Sequence, residues 1–147
     1  MSRTRHGLRA FSVAAVAAGL TLTGTAAWAT PSGPGVTAKI IWQQTVGDTD
    51  LILREITIPA QQATGWHYHD GTLYAQVKQG TLSHFDSSCE LDGSYRAGQF
   101  LSEPSGASNV HIGRNIGTTN LVLDVLYVNP KGSPFAEDAP NPGCDFE

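Results

Sequence analysis

Two histidines one residue apart, His67 and His69, sit in the run Gly65-Trp66-His67-Tyr68-His69-Asp70-Gly71. In an extended chain, residues i and i+2 project from the same face, so both imidazoles converge on one point. A third histidine, His111, lies in a later segment punctuated by glycine and proline that also reads as strand. Imidazoles brought together by rigid strands suit one divalent ion: iron, zinc, copper or nickel. An ion with open positions can orient and polarise a small molecule or activate a water. Each residue also has a plainer reading. His67 and His69 are then ordinary polar strand residues, and His111 is a core histidine hydrogen-bonded to backbone.

The elements around these residues read as strands. Val36 to Val46 is rich in β-branched and apolar residues. Asp50 to Ile58 alternates, with Ile52, Arg54, Ile56 and Ile58 on one face, and Pro59 ends it. Gly65 to Asp70 carries the two histidines. In Leu73 to Lys78 the apolar Leu73, Ala75 and Val77 share a face against Tyr74, Gln76 and Lys78. Gly80 breaks that strand, Thr81 to Phe85 starts the next, and Asp86 to Gly93 reads as a polar loop holding Cys89. Tyr95 to Leu101, Val110 to Arg114 and Leu121 to Val128 follow. Turn residues recur at intervals of about eight to twelve residues, and no stretch carries a capped helical period, which predicts an all-β sandwich or barrel. The tail from Asn129 to Glu147 holds four prolines and two glycines and should be irregular, draped over the domain.

The histidines sit within two longer patterns, Gly65-x-His67-x-His69-x10-Gly80 and Gly98-x5-Pro104-x-Gly106-x4-His111-x3-Asn115. In these the chain resembles the cupin superfamily, whose motifs are written G-x5-HxH-x3,4-E-x6-G and G-x5-PxG-x2-H-x3-N. The first keeps HxH and the closing glycine, with its leading glycine displaced to Gly65. The second keeps Gly98, Pro104, Gly106, His111 and Asn115, with two extra residues before the histidine. The resemblance implies a double-stranded β-helix, a jelly-roll barrel with a ligand cavity. It also implies a divalent metal held inside by His67, His69 and His111. The family's motif-one glutamate does not carry over: its place falls on Leu73, or on Tyr74 at the longer spacing. Alternation makes Leu73 the inward residue. Three neutral imidazoles would leave the ion its full charge, which resembles some cupin-type dioxygenases that lack the glutamate and equally suits a hydrated zinc.

Other polar residues have smaller roles. His84 fits neither motif and reads as a loop-side or barrel-lining histidine with no ligand role. Glu103, just before Pro104, reads as a turn carboxylate, with a base or substitute ligand at the cavity mouth as the alternative. Trp66 and Tyr68 alternate with the histidines and should face away from them, against a second sheet or a partner subunit. Trp42, Phe85, Tyr95, Phe100 and Tyr127 are candidate core or interface aromatics.

Residues 1–29 read as a Sec-type export signal. Arg3, Arg5 and Arg9 precede the apolar run Ala10 to Leu22, and Ala27-Trp28-Ala29 is a small-x-small cleavage site. Residues 30–147 then form one secreted domain. Three of the nine basic residues leave with the signal, so six basic and thirteen acidic side chains remain. That balance, with no basic cluster, disfavours nucleic acid and anionic membrane as partners. Cys89 and Cys144, an even pair in an exported chain, suggest a disulfide tying the tail to a mid-chain loop. Two functions remain. One is a metal-dependent enzyme, an oxygenase or relative, acting on a small molecule. The other is a non-catalytic small-molecule-binding module, with or without metal. A homodimer through the first strand is a further expectation.

Overall fold

The computed structural model describes residues 31–146; the export signal expected over 1–29 lies outside them. Among these described residues ten strands form two sheets. They are β1 (Thr37–Val46), β2 (Thr49–Ile58), β3 (His67–Tyr68), β4 (Thr72–Gln79), β5 (Thr81–Asp86), β6 (Leu91–Arg96), β7 (Phe100–Glu103), β8 (His111–Arg114), β9 (Leu121–Pro130) and β10 (Glu137–Asp138). The first sheet runs β1-β2-β9-β4-β7 and the second β10-β3-β8-β5-β6. Every pairing between named strands is antiparallel. Apart from the hairpins β1–β2 and β5–β6, consecutive strands alternate between the sheets, which is the jelly-roll arrangement.

The alternation seen in the sequence decides which side chains fill the space between sheets. Leu73, Ala75 and Val77 of β4 meet Leu121, Leu123, Val125 and Tyr127 of β9 in the main core, with Ile58, Leu82 and Leu101. Their neighbour Tyr74 points outward and is 53 % exposed. A second apolar cluster lies behind the other sheet, where Trp66, Ala63, Ile112 and Ala139 pack with Phe85, Cys144 and Phe146. Trp66 therefore turns its back on the histidines, as its place in the alternation predicts, and is covered by the chain's own tail. Gly71 lets β4 start against β9: a Cβ there would overlap the Val128 carbonyl.

Several local expectations are corrected. The segment read as a polar loop ends in strand β6 from Leu91, which pairs with β5 across the turn that holds Cys89. Tyr95 to Leu101 is not one strand, because the left-handed Gly98 turns the chain between β6 and β7. The histidine-bearing segment keeps ladder pairing only at His67–Tyr68. Of the aromatics, Tyr127 is buried, whereas Trp42 and Phe100 stand on the surface at 45 % and 69 % exposure. The tail is more ordered than its prolines suggest. Its β10 pairs with β3, the Cys89–Cys144 disulfide anchors it, and Phe146 stacks on Trp66 with ring centroids 6.1 Å apart.

Candidate metal centre

His67 and His111 are direct cross-strand partners on β3 and β8. His69 follows β3 by one residue, and its carbonyl is held at 2.7 Å by the backbone N–H of the left-handed Gly106. The motif-two glycine thus ties the loop before His111 to the motif-one histidines. All three imidazoles are buried, and their ligand atoms lie within 4.8 Å of one another.

Each ring is oriented by its other nitrogen. His67 Nδ1 lies 2.9 Å from the Gly65 carbonyl, His69 Nδ1 2.8 Å from that of Phe135, and His111 Nδ1 2.8 Å from that of Asn109. A carbonyl oxygen can only accept, so each Nδ1 carries the proton and donates. Each Nε2 is then a lone pair turned toward the common centre. Gly65 takes a left-handed φ of 80°, which brings its carbonyl back under the His67 ring.

The structure adds two residues to the three. Glu103, at the end of β7, faces the cluster from the opposite sheet. Its Oε2 lies 3.2 Å from His69 Nε2 and 3.4 Å from His111 Nε2. Its Oε1 lies 3.5 Å from the Nε2 of His84, a buried residue of β5 whose Nδ1 is 2.6 Å from Asp92. Glu103 is therefore a site carboxylate rather than a turn residue, and His84 lines the same centre. His84, Glu103 and His111 form a second group with metal-ligand spacing. The two groups share His111, whose single inward lone pair can serve one ion at a time.

None of the Nε2 atoms of His69, His84 and His111 makes a hydrogen bond of acceptable geometry, despite the short separations from Glu103. Burial pushes the Glu103 carboxyl up, and only hydrogen bonds donated by His111, His69 and His84 would outweigh this and hold it well below the usual carboxylate range. Burial pushes His67 down to about 3, helped by the neighbouring His111 and His69, so this ring stays neutral. An ionised carboxylate facing imidazole lone pairs in a buried space is repulsive unless a proton or cation lies between them. Ligands about 2.1 Å from a common ion stand roughly 3.0–3.4 Å apart, close to the separations Glu103 makes. Three imidazole nitrogens and one carboxylate oxygen suit iron(II), zinc, nickel, copper and, with the oxygen present, manganese.

Solved structures with the same arrangement of strands include an uncharacterised conserved protein with a double-stranded β-helix domain from Klebsiella pneumoniae, at 18 % identity with a TM-score of 0.56, covering 74 % of this chain and 88 % of that one. A cupin domain from Bordetella pertussis matches at 20 % identity and TM-score 0.52, over 65 % of this chain and 95 % of its own. The polyketide cyclase RemF from Streptomyces resistomycificus matches at 15 % identity and TM-score 0.52, over 74 % and 84 %. No family profile matches the chain, and no curated protein matches it. At these identities the likeness is one of fold. The protein has the cupin fold, a double-stranded β-helix with a buried histidine–carboxylate cluster between its sheets.

Proposed function

We propose that the protein binds one divalent metal ion through His67, His69 and His111, with Glu103 as fourth ligand, and acts on a small molecule in the barrel. The supporting observation is the triple commitment of Nδ1 protons to backbone carbonyls, which leaves three lone pairs converging beside a buried carboxylate. A bound ion would supply Lewis-acid or redox chemistry at positions the four ligands leave open. The chain's own groups hold and orient it: the carbonyls fix the rings, and the apolar Leu73, Ala75 and Leu82 wall the space and limit water. The polyketide cyclase among the similar structures is an example of this fold hosting catalysis on an organic molecule.

The same reading places the mature chain outside the cytoplasm, in keeping with the Cys89–Cys144 disulfide. Mass spectrometry of the exported product should find Thr30 at its N-terminus. It also includes a homodimer through the edge strand β1, where Ile40, Ile41 and Trp42 are about half exposed. A monomer mass by light scattering at micromolar concentration would remove the dimer.

Elemental analysis of the purified protein beside a His67→Ala, His111→Ala double variant tests the centre. Near-stoichiometric metal in the parent and none in the variant is expected; equal content in both would end the proposal. Turnover is then sought with the iron(II)-loaded protein, by oxygen uptake across a small-molecule panel. Tight ligand binding without turnover in any metal form would make it a binding module instead.

A further inference from the structure

The cluster can be approached from two sides that differ in charge, one acidic and one holding a partly buried arginine. One cavity, about 340 Å³, is lined by Asp86, Asp92 and Glu103 together with His84 and His111. The other, about 140 Å³, reaches His67 and His69 from the far side and is lined by Arg54, Tyr127 and Phe135. From the second cavity we infer that Arg54 and Tyr127 bind the carboxylate of a small organic acid and present the rest of that molecule to His67 and His69.

Arg54 is the one charged residue among Ile52, Arg54, Ile56 and Ile58 on the inward face of β2. Its register partner on β9 is Val125, and Tyr127 lies two residues on along the same inward face. The acidic neighbours Glu55 and Asp124 point the other way and pair with Lys39 and Lys78. Among the described residues no carboxylate lies within ion-pair distance of Arg54, and exposed Asp138 at the cavity rim makes no ion pair with it. The Arg54 Nε is buried without a hydrogen-bond partner. The guanidinium lies over the Phe135 ring, 3.8 Å from its centroid, and its Nη1 is at the limit of contact with the Tyr127 hydroxyl, 3.5 Å. A guanidinium held by its face keeps its in-plane donors for a planar, two-oxygen acceptor. A carboxylate has that shape, and the Tyr127 hydroxyl adds a further donor. The volume is below the roughly 300–1,000 Å³ of drug-sized sites, which suits an acid of a few carbons. The acidic opposite mouth disfavours entry of anions from that side.

Phe135 couples this pocket to the centre: its ring supports Arg54 and its carbonyl orients His69. The role of the acid's remainder rests on the metal reading above; the carboxylate contact does not.

The test is calorimetric titration of the full mature protein, metal-loaded and chelator-treated, with pyruvate, lactate and malonate and with the neutral amide of each. Saturable binding of at least one acid in both states, no binding of its amide, and at least tenfold weaker binding by Arg54→Gln are expected. Absence of binding for all three acids, equal binding of acid and amide, or unchanged affinity in Arg54→Gln would overturn the inference. If that variant does not fold, Tyr127→Phe and Arg54→Lys replace it. Severalfold loss is expected in both, and wild-type affinity in both overturns the inference. Metal content is measured in the same samples. Carboxylate binding without metal uptake would leave the pocket and remove the metal reading; metal uptake without carboxylate binding would do the reverse.

Discussion

Leu73 on β4 and Glu103 on β7 are direct cross-strand partners. Leu73 holds the place where the cupin pattern carries its glutamate, and Glu103 stands beside it on the neighbouring strand, on the same face. Residues so paired have Cβ atoms only about 4.5–5.5 Å apart. A carboxylate can therefore move one strand sideways and still reach the same point between the sheets, provided the residue it leaves becomes apolar. Leu73 is 2 % exposed and fills that space.

Glu103→Gln should lower divalent-metal affinity at least about tenfold, since loss even of groups that only support ligands costs 10–100-fold. The exchange Leu73→Glu with Glu103→Leu should restore much of that affinity by returning the carboxylate to its usual strand. Metal titration of chelator-treated proteins reads both. Wild-type affinity in Glu103→Gln would show that the carboxylate is not a ligand.

The tail should act on the metal centre as well as on stability. It supplies the Phe135 carbonyl to His69 and the β10 pairing beside His67, and Cys144 pins it. Replacing both cysteines by serine should lower unfolding free energy by about 2–4 kcal/mol and weaken metal binding in the same protein. Thermal unfolding with and without reductant, followed by metal titration, would detect this. Stability loss with intact metal affinity would confine the tail to a structural role.

Stability of the metal-free protein should fall with acidification. His67, held neutral down to about 3 by burial and then by His111 and His69, would titrate at its ordinary value of 6.5 once unfolded. Between these values the unfolded chain binds the extra proton, so this contribution is complete above about pH 6.5 and is lost as pH falls toward 3. The slope from this one group cannot exceed about 1.4 kcal/mol per pH unit. Urea denaturation at several pH values, beside His67→Asn, should show a shallower dependence in the variant.

Trp66→Ala should cost about 3–5 kcal/mol, the range for a large buried aromatic. Trp66 is fully buried between Ile112 and the tail. Chemical denaturation measures the loss. A change within 1 kcal/mol would mean that the second cluster contributes little.

Much of the fold was legible because the side-chain period of a strand is a local property. The alternation in β4 placed Leu73, Ala75 and Val77 inside and Tyr74 outside. It put His67 and His69 on one face and Trp66 on the other, and the paired cysteines pointed to the disulfide. Glycine and proline marked most strand ends. They misled at Asp86 to Gly93, where pairing with β5 drew polar residues into strand β6. There, ladder hydrogen bonds outweighed weak local propensity.

Local period says which face a side chain takes, not which strand lies beside it. Glu103 became part of the centre because β7 pairs with β4, and His84 because β5 pairs with β8. The Phe135 carbonyl reached His69 because the tail folds back 66 residues along the chain. The sequence alone put Arg54 on one face with Ile52, Ile56 and Ile58, but that this face is inward, and that Arg54 lacks a carboxylate partner there, followed from how β2, β9 and the tail surround it. These are long-range pairings, decided by how the whole chain buries its apolar faces and satisfies its backbone, and no short stretch of residues encodes them. The amino-acid order thus settled the faces and three of the histidines, while tertiary packing chose the carboxylate, the ring orientations and the charge of each entrance.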